Sequence, residues 1–445
     1  MSASRNNHGS VSLFSKTGDR AVPPMITGLM AMALESPGLL SLAAGFTDNA
    51  MLPVDFVGDA WRSLCADAAT ANNEFLQYGT NQGRPALRRM LAERIARADG
   101  LALQSSTDIP VCANPHTLPK YDTDKNVCAT FITNGSQQAL YLAMQVLCDE
   151  GDVVLVDRPS YFVFLEMLQG LGIEARSLPT TGANHRIDGD ALGRLLDELA
   201  ARKKRVKAVY FVSYYCNPSA RCLDEAEKNS IAEALAARGM FIPVIEDAAY
   251  RELYFEKQHT ARSILALPAW AAFPKLYTAT LTKPFATGLK VGYGLCTNAD
   301  WLEKMLNVKG HHDFGSTNFN QAVLEHAIAT GNYDRQLARL RPGYHAKMQT
   351  LNTALASAGL RERGWKWDEP AGGLYLWLEA PREVDTSMNS PFCRACIEAG
   401  VLYVPGDLCF GDAPEKNFIR LSFGVLGAAD LAEAARRFAS VAARF

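Results

Sequence analysis

The first residue that could do chemistry is a lysine at the end of a predicted strand. Lys283 lies in the segment YTATLTKPFATGLKVGYGL, where a run of threonine and aliphatic residues gives way to proline, threonine and glycine. A lysine at a strand end is poorly solvated, so the pKa of its amine can fall, and the neutral amine is the form that imine chemistry requires. Taken alone, the segment is better explained by a surface lysine at a strand terminus.

Three other apolar runs also end in polar residues. The run FIPVIE is followed by Asp247, with Tyr250 three residues later, and the run VYFVSYY leads to Asn217 before a proline. In the third, FIT leads through Gly135 and Ser136 into a helical pattern. Carboxyl ends of strands hold the ligands of α/β folds, and N–H groups at a helix start bind phosphate. Four such strand ends together indicate one ligand site far more strongly than any of them alone.

The elements that must position these residues alternate along the chain. Short apolar runs are separated by helical patterns such as 136–148, in which Ala139, Leu140 and Ala143 recur at helical spacing. Apolar runs of this kind are typical of strands covered by helices on both faces, and the alternation predicts a mainly parallel α/β sheet. The predicted strands are 128–133, 152–157, 207–215, 241–246, 275–281 and 292–296.

The last third of the chain has a different pattern, which predicts a second, smaller α+β domain. Helical stretches at 321–358 and 429–443 bracket strand patterns at 373–378 and 417–423. We predict the following division: a mobile polar segment at 1–22, a large domain at 56–315 that carries a surface insertion at about 103–127, and a small domain made of 23–55 and 316–445.

Arg420 is the candidate for binding an acidic group in the small domain. In the strand pattern NFIRLSF, alternation places Ile419, Leu421 and Phe423 on one face and Arg420 with Ser422 on the other. An arginine on that face could form a bidentate pair with a carboxylate, or it could simply be solvated. The pattern alone does not separate these two interpretations.

Composition excludes several classes of partner. The 445 residues carry a formal net charge of −2, which gives no electrostatic reason to expect nucleic acid or an anionic membrane. Charged residues interrupt every apolar run, and the polar N-terminus has no apolar core of a secretory signal, so we expect a cytoplasmic protein. Cys393 and Cys396 have no second ligand pair at zinc spacing, so we expect no metal site.

Four further motifs give the sequence a resemblance to a known family. They are SLAAGFTDNAMLP (41–53), LQYGTNQGRPALR (76–88), PAGGLYLWL (370–378) and VLYVPGDLCFG (401–411). Together with the four strand ends, they resemble the pyridoxal-5′-phosphate enzymes of fold type I, in the class I/II aminotransferase branch that includes kynurenine, 2-aminoadipate and aromatic aminotransferases. The resemblance runs from about residue 38 to the C-terminus, and it implies the aspartate-aminotransferase-like fold.

The resemblance implies a role for each matching residue. Lys283 resembles the Schiff-base lysine, which also moves the proton of the substrate α-carbon, and Asp247 would pair with the pyridine nitrogen. Tyr250 and Asn217 would bind the phenolic oxygen of the ring, and Arg420 the substrate carboxylate. The other implied contacts are Tyr161 against the ring face, Gly45 near the substrate, Gly135, Ser136, Gln137, Thr280, Thr282 and Lys290 around the phosphate, and Tyr78 reaching the phosphate of the neighbouring subunit in a homodimer.

Several positions depart from the family pattern, including Lys290 and Cys216. The phosphate-binding position after the lysine is usually arginine, and here it is Lys290, a point charge without the planar fork. Cys216 stands before Asn217 where the family usually has Gln or His. It could be a small buried residue, which is the default, or a thiol that faces the substrate.

The leading functional hypothesis is an aminotransferase that takes a free L-amino acid and a 2-oxo acid in turn. The alternative is another pyridoxal-phosphate reaction on an amino acid, such as elimination or replacement, decarboxylation, oxidation or carbon–carbon bond formation. A non-catalytic regulator is a third hypothesis, which the 22 or so residues before the fold disfavour, because they are too few for a winged helix-turn-helix.

The identity of the substrate stays open. Tyr214, Tyr215, Phe162, Phe164 and Tyr375 could line an aromatic-accepting pocket or lie in the core, which is the commoner place for aromatic residues in strands. The pair His311-His312 could contact substrate, contact a second subunit or be exposed.

Overall fold

The computed structural model describes residues 13–36, 38–68, 73–101, 129–182 and 184–445, and it confirms the predicted α/β fold with a mainly parallel central sheet. The strands are β1 (Leu40–Ser41), β2 (Thr130–Thr133), β3 (Val153–Val156), β4 (Glu174–Ser177), β5 (Thr180–Thr181), β6 (Arg186–Ile187), β7 (Val206–Val212), β8 (Val244–Asp247), β9 (Lys275–Thr280), β10 (Gly292–Cys296), β11 (Tyr375–Glu379), β12 (Val401–Leu402), β13 (Val404–Pro405) and β14 (Phe418–Ser422).

Helices separate most of these strands. They are α1 (Lys16–Arg20), α2 (Met25–Glu35), α3 (Val54–Ala68), α4 (Pro85–Ala98), α5 (Ser136–Leu147), α6 (Phe162–Leu171), α7 (Gly189–Ala201), α8 (Glu225–Ala236), α9 (Ala299–Asp313), α10 (Asn318–Ala329), α11 (Asn332–Ser357), α12 (Pro391–Glu398) and α13 (Ala428–Ala442). Within the described ranges, no helix is long and apolar enough to cross a membrane.

A seven-stranded sheet forms the centre of the molecule, in the order β2-β10-β9-β8-β7-β3-β4. Only β10 runs antiparallel to its neighbours β2 and β9, and the other neighbouring pairs are parallel. The carboxyl ends of β2, β3, β7, β8 and β9 therefore meet at one edge of the sheet. This is the edge at which open α/β sheets bind their ligands.

Both faces of this sheet are buried at its central strands, which explains why β3 is apolar throughout. In β3, Val154 and Val156 belong to a core shared with α5, α6 and α9, whereas Val153 and Leu155 belong to a second core shared with α7 and α8. All four side chains are fully buried. Helices on both sides thus fix the sheet, and the loops after its strands are left to carry polar residues.

A smaller antiparallel sheet, β11-β14-β13, is built from the last third of the chain. Residues early in the chain join this part, because β1 pairs in parallel with β12 through Leu40–Val401 and Ser41–Leu402. The helical stretch predicted at 321–358 is two helices, α10 and α11. They are separated at Gly331, whose φ of 73° ends the regular helical path.

The outcomes for the two segments predicted to be irregular differ. The insertion at 103–127 lies outside the described residues, as do residues 1–12 of the N-terminal segment. Residues 13–22 are described, and they contain α1, where the sequence predicts a mobile polar segment. The Nε of Arg20 donates to the Gly170 carbonyl at 3.2 Å, so this part of the chain docks against α6.

Candidate active site

A cavity of about 640 Å³ lies at the carboxyl edge of the large sheet, facing the small sheet. It brings together every residue that the sequence singled out for the cofactor or the substrate, with the exception of Tyr78. These lining residues are Gly45, Gly135, Ser136, Gln137, Tyr161, Asn217, Asp247, Tyr250, Thr280, Thr282, Lys283, Lys290 and Arg420.

One end of the cavity has the features of a phosphate cradle. Gly135 precedes α5 with a φ of 75°, and the N-terminus of α5 at Ser136 has no side-chain cap, so its N–H groups are available to an anion. The hydroxyls of Thr280 and Thr282 lie 2.7 Å apart beside it. Lys290 adds a positive charge at the same end. Backbone donors, hydroxyls and a cation converge here as a phosphate group requires.

Gly292 allows this cradle to form. A Cβ built on Gly292 would collide with the peptide between Gly135 and Ser136. We therefore expect Gly292→Ala to displace the start of α5 at a cost of about 1–3 kcal/mol. In a fluorescence titration, the affinity for pyridoxal phosphate should fall roughly tenfold or more.

Gly288→Ala is the matched control for this substitution, because nothing lies within 4 Å of a Cβ at Gly288. Its affinity should stay close to that of the unchanged protein. Equal affinities for the two alanine variants would show that the close contact at Gly292 does not shape the cradle.

Asp247 is the buried carboxylate of the cavity. It ends β8 with only 4% of its surface exposed, accepts a hydrogen bond from the Ala249 N–H at 3.0 Å and another from the Tyr210 hydroxyl at 3.1 Å. Burial raises the pKa of Asp247 to about 6, although both hydrogen bonds act to lower it. A carboxylate in this state is suited to pair with a protonated ring nitrogen, which would restore its charge.

A second buried carboxylate, Asp157, was missed in the sequence. It follows β3 and accepts hydrogen bonds from the Ser160 hydroxyl at 2.5 Å and from the Val212 N–H at 3.0 Å, and the Cys216 thiol lies 3.6 Å away. Burial raises its pKa to about 7. Asp157 thus ties together the loops that carry Tyr161 and Asn217. A carboxylate at the end of an apolar run, the signal used for Asp247, could have found it.

Lys283 follows β9 and points its amine into the cavity, where it donates to the Gly45 carbonyl. Burial first, and then the positive charges of Lys290 and Arg420, lower the pKa of Lys283 to about 8. A sizeable fraction of the amine is therefore neutral at a mildly alkaline pH. The pKa predicted to fall at a strand end does so because protein and two cations surround the amine.

The lowered pKa of Lys283 has a consequence for stability. In the unfolded chain the amine titrates near 10.5, so below pH 8 the folded protein holds a charge that it disfavours by roughly 3 kcal/mol. This penalty disappears as the pH rises from 8 to 10.5. We expect the cofactor-free Lys283→Met variant to be more stable than the unchanged protein at pH 7, with a difference that shrinks toward pH 10.5.

Urea unfolding of both cofactor-free proteins at several pH values measures this difference. A gap in the free energy of unfolding that is constant from pH 7 to 10.5 would contradict the lowered pKa. Met is a suitable replacement because it keeps the length of the side chain and does not titrate in this range.

Arg420 is a buried cation whose partners among the described residues include no anion. It lies in β14 with 1% of its surface exposed, so both faces of this strand are covered. Its Nη1 donates to the Asn217 side-chain oxygen at 2.9 Å and its Nη2 to the Ala43 carbonyl, while its buried Nε has no partner. In the described part of the chain, its partners are thus neutral oxygens. A bound carboxylate would supply the missing charge.

The side chains left open by the sequence divide between the cavity and the core. Phe162 and Tyr375 line the cavity, and Tyr375 also contacts Tyr250, with 3.1 Å between the two hydroxyl oxygens. Tyr214, Tyr215 and Phe164 belong to the buried cores. These five aromatic residues therefore do not line one pocket.

The remaining candidates lie outside the cavity. Cys216 is buried, and burial raises the pKa of its thiol, so it fits the default interpretation of a small buried residue. His311 and His312 are exposed on α9. Tyr78 is 79% exposed and contacts Phe314 edge-to-face. No cluster of potential metal ligands occurs among the residues that the structure describes.

The chain is similar to known proteins along most of its length. The chain is 26% identical over 407 residues to an aromatic-amino-acid aminotransferase of Thermococcus litoralis (91% of this chain, 88% of the relative) and 27% identical over 425 residues to a 2-aminoadipate transaminase of Thermus thermophilus (95% of each). Its structure is similar to that of a Pyrococcus horikoshii kynurenine aminotransferase, with a TM-score of 0.81 and 25% identity over 97% of this chain and 96% of the other.

The family comparison covers nearly the same length. Residues 38–438 match the family described as aminotransferase class I and II, beginning where the sequence motifs begin. The cradle, the buried Asp247 and the amine of Lys283 fit pyridoxal 5′-phosphate, the cofactor of such enzymes. The chain therefore belongs to the class I and II aminotransferases, the pyridoxal-phosphate-dependent transferases that its sequence resembles.

Proposed function

We propose that this protein transfers the amino group of a free L-amino acid to a 2-oxo acid, with Lys283 as the residue that binds the cofactor and moves the proton. One observation carries the proposal. A buried amine with a pKa of about 8 at Lys283, a buried carboxylate at Asp247 and a buried arginine, Arg420, whose described partners include no anion, all face one cavity.

The chain's own residues would hold the cofactor at four points. Ser136, Gln137 and the two threonines would bind its phosphate together with Lys290, and Asp247 would pair with the ring nitrogen. Tyr250 and Asn217 would face the ring oxygen, and Tyr161 the flat side of the ring. When bound, pyridoxal phosphate supplies the carbonyl that takes up the amino group and a ring that withdraws electrons from the substrate.

Lys283 would act as the acid–base group of the reaction. Its Nζ, with a pKa of about 8, can accept the proton of the substrate α-carbon and return it to the cofactor side. Arg420 would fix the substrate carboxylate and so hold the α-carbon within reach of that nitrogen. Because an amino acid enters first and a 2-oxo acid second at the same site, we expect ping-pong kinetics.

A spectroscopic half-reaction tests the proposal. The purified protein, loaded with pyridoxal phosphate, is mixed with single amino acids in the absence of any oxo acid. We expect loss of the visible absorption with one equivalent of oxo acid released, and its return on addition of a 2-oxo acid. Release of ammonia, carbon dioxide or peroxide instead would favour the alternative chemistry, and failure to bind the cofactor would reject the proposal.

The active unit would be a homodimer in which Tyr78 reaches the phosphate of the neighbouring site. In support, Tyr78, Phe314 and Leu76 are large apolar side chains with 66–79% of their surface exposed. Exposed apolar groups clustered in this way mark protein interfaces.

Subunit complementation tests the dimer. The variants Tyr78→Ala and Lys283→Ala should each be impaired alone. In a mixed dimer, one site would combine the Lys283 of one subunit with the Tyr78 of the other, and we expect activity to return. If mixing restores nothing although mixed dimers form, Tyr78 does not act across the interface.

Two further features belong to the proposal. We propose a large domain at 56–315 and a small domain made of 23–55 and 316–445, which the pairing of β1 with β12 supports. We also propose a cytoplasmic location, which the free thiols of all described cysteines support.

A further inference from the structure

The hydroxyl groups of Tyr250 and Tyr375 form a buried pair at the wall of the cavity. Their oxygens lie 3.1 Å apart, and the side chains are 6% and 1% exposed. Tyr250 follows β8 in the large sheet, whereas Tyr375 begins β11 in the small sheet. The pair thus joins the two halves of the site.

The position of Tyr375 is fixed on three sides. The Arg420 guanidinium carbon lies 4.4 Å from the centre of its ring, and the ring of Tyr250 meets it edge-to-face at 5.8 Å. A Cβ on Gly45 would lie 2.6 Å from the Tyr375 hydroxyl, so the absence of a side chain at Gly45 leaves room for that hydroxyl. These contacts hold the Tyr375 oxygen beside Tyr250.

Each tyrosine hydroxyl has only one proton, so the direction of the hydrogen bond matters. If Tyr250 donates to Tyr375, Tyr250 has no proton left for a group in the cavity. If Tyr375 donates to Tyr250, the proton of Tyr250 is free to point into the cavity. An anionic oxygen there favours the second arrangement, and the bond from Tyr375 then makes Tyr250 a stronger donor.

We propose that Tyr375 is a positioning residue that donates to Tyr250 and thereby directs the Tyr250 proton into the cavity, toward the ring oxygen of the cofactor. The proposal rests on the proposed function, because it takes Tyr250 to face that oxygen. Tyr375 acts through Tyr250. The ring of Tyr375 has the separate role of lying against Arg420.

The test is a pH titration of the visible absorption band of the cofactor-loaded protein. A hydrogen bond to the ring oxygen favours its anionic form, so the loss of that bond or of its support raises the pH at which the band titrates. We expect Tyr375→Phe to shift this pH upward by between about half and one unit. The phenyl ring remains against Arg420, so the KM for the amino acid should change less than about twofold.

Two matched variants make the test specific. Tyr403→Phe removes another buried hydroxyl, which donates to the Thr386 carbonyl at 2.8 Å and does not line the cavity, so it should leave the titration unchanged. In a Tyr250→Phe background the midpoint should already be raised, and adding Tyr375→Phe should raise it no further.

The outcomes separate this proposal from the proposed function. A Tyr375→Phe protein that titrates at the unchanged pH would overturn it, as would an equal shift from Tyr403→Phe or an undiminished shift in the Tyr250→Phe background. In each of these cases the aminotransferase activity of the unchanged protein would still stand. If the unchanged protein binds no cofactor, both proposals fall together.

Discussion

Replacement of Lys283 by alanine is expected to lower turnover by at least about 10³-fold, the largest effect of any single substitution in this chain. Lys283 carries a buried amine with a pKa of about 8 that donates to the Gly45 carbonyl, in the cavity that Arg420 also lines. Without it, the cavity loses the amine to which we assign the proton of the substrate α-carbon. The rate of the half-reaction, followed by absorbance, measures the loss.

Lys283→Arg is the sharper control for this prediction. It keeps a long cationic side chain, but a guanidinium stays protonated at all ordinary pH values and so cannot accept the proton. We expect it to be as inactive as the alanine variant. A small primary amine added to Lys283→Ala should restore part of the rate. Activity in Lys283→Arg within about tenfold of the unchanged protein would show that a neutral amine at this position is not required.

Substitution of Arg420 is expected to have the second largest effect, through substrate binding. Removing one member of a buried charged pair typically costs about 2–5 kcal/mol, so Arg420→Gln should lower kcat/KM for an amino acid by about 10²-fold or more. Arg420→Lys should recover little, because a single ammonium cannot replace the bidentate fork. Steady-state kinetics with an amino acid and with the matching amine, which lacks the carboxylate, measure the effect.

The amine is the internal control for Arg420. Its slow reaction should be nearly the same in the variant and the unchanged protein, since it has no carboxylate to bind. Arg436→Gln, an exposed change on α13, should leave both substrates unaffected. If amino acid and amine lose activity in the same proportion, Arg420 supports the fold and does not bind the carboxylate.

Replacing Arg420 should weaken substrate binding but raise the free energy of unfolding of the cofactor-free protein. In the cofactor-free protein Arg420 is a buried charge whose Nε has no partner among the described residues, and burial of a charge without an anion is unfavourable. We therefore expect Arg420→Met to raise the free energy of unfolding of the cofactor-free protein by on the order of 1 kcal/mol. A residue kept for binding and not for folding would show this pair of opposite effects.

The residues that follow single strands could be predicted from the sequence. Lys283, Asp247 and Gly135 each end an apolar run, and the carboxyl ends of parallel strands meet at one edge whatever the loops do. The ends of the strands themselves were less predictable. The strand predicted to begin at residue 241 begins at Val244, because Pro243 has no N–H to donate to the sheet and Phe241 is exposed.

Residues whose role depends on distant partners could not be assigned in this way. Asp157 accepts a hydrogen bond from the N–H of Val212, 55 positions later. The hydroxyl of Tyr375 contacts that of Tyr250, 125 positions earlier. Alternation in a strand predicts which side chains share a face, but not whether that face meets the core or a cavity. The same limit applied to Arg420, whose strand is buried on both faces, so burial did not distinguish it from its apolar neighbours.

The pairing of β1 with β12 also bears on how the protein is made. The segment just after β1 supplies the Ala43 and Gly45 carbonyls that Arg420 and Lys283 contact, yet β1 itself pairs with residues about 360 positions later in the chain. Contacts so distant in sequence form late, because the entropic cost of closing a long loop must be met before they can stabilise the fold. During synthesis residues 40–45 therefore wait for almost the entire polypeptide. A ribosome stalled at residue 390 would hold a folded large sheet without a working catalyst.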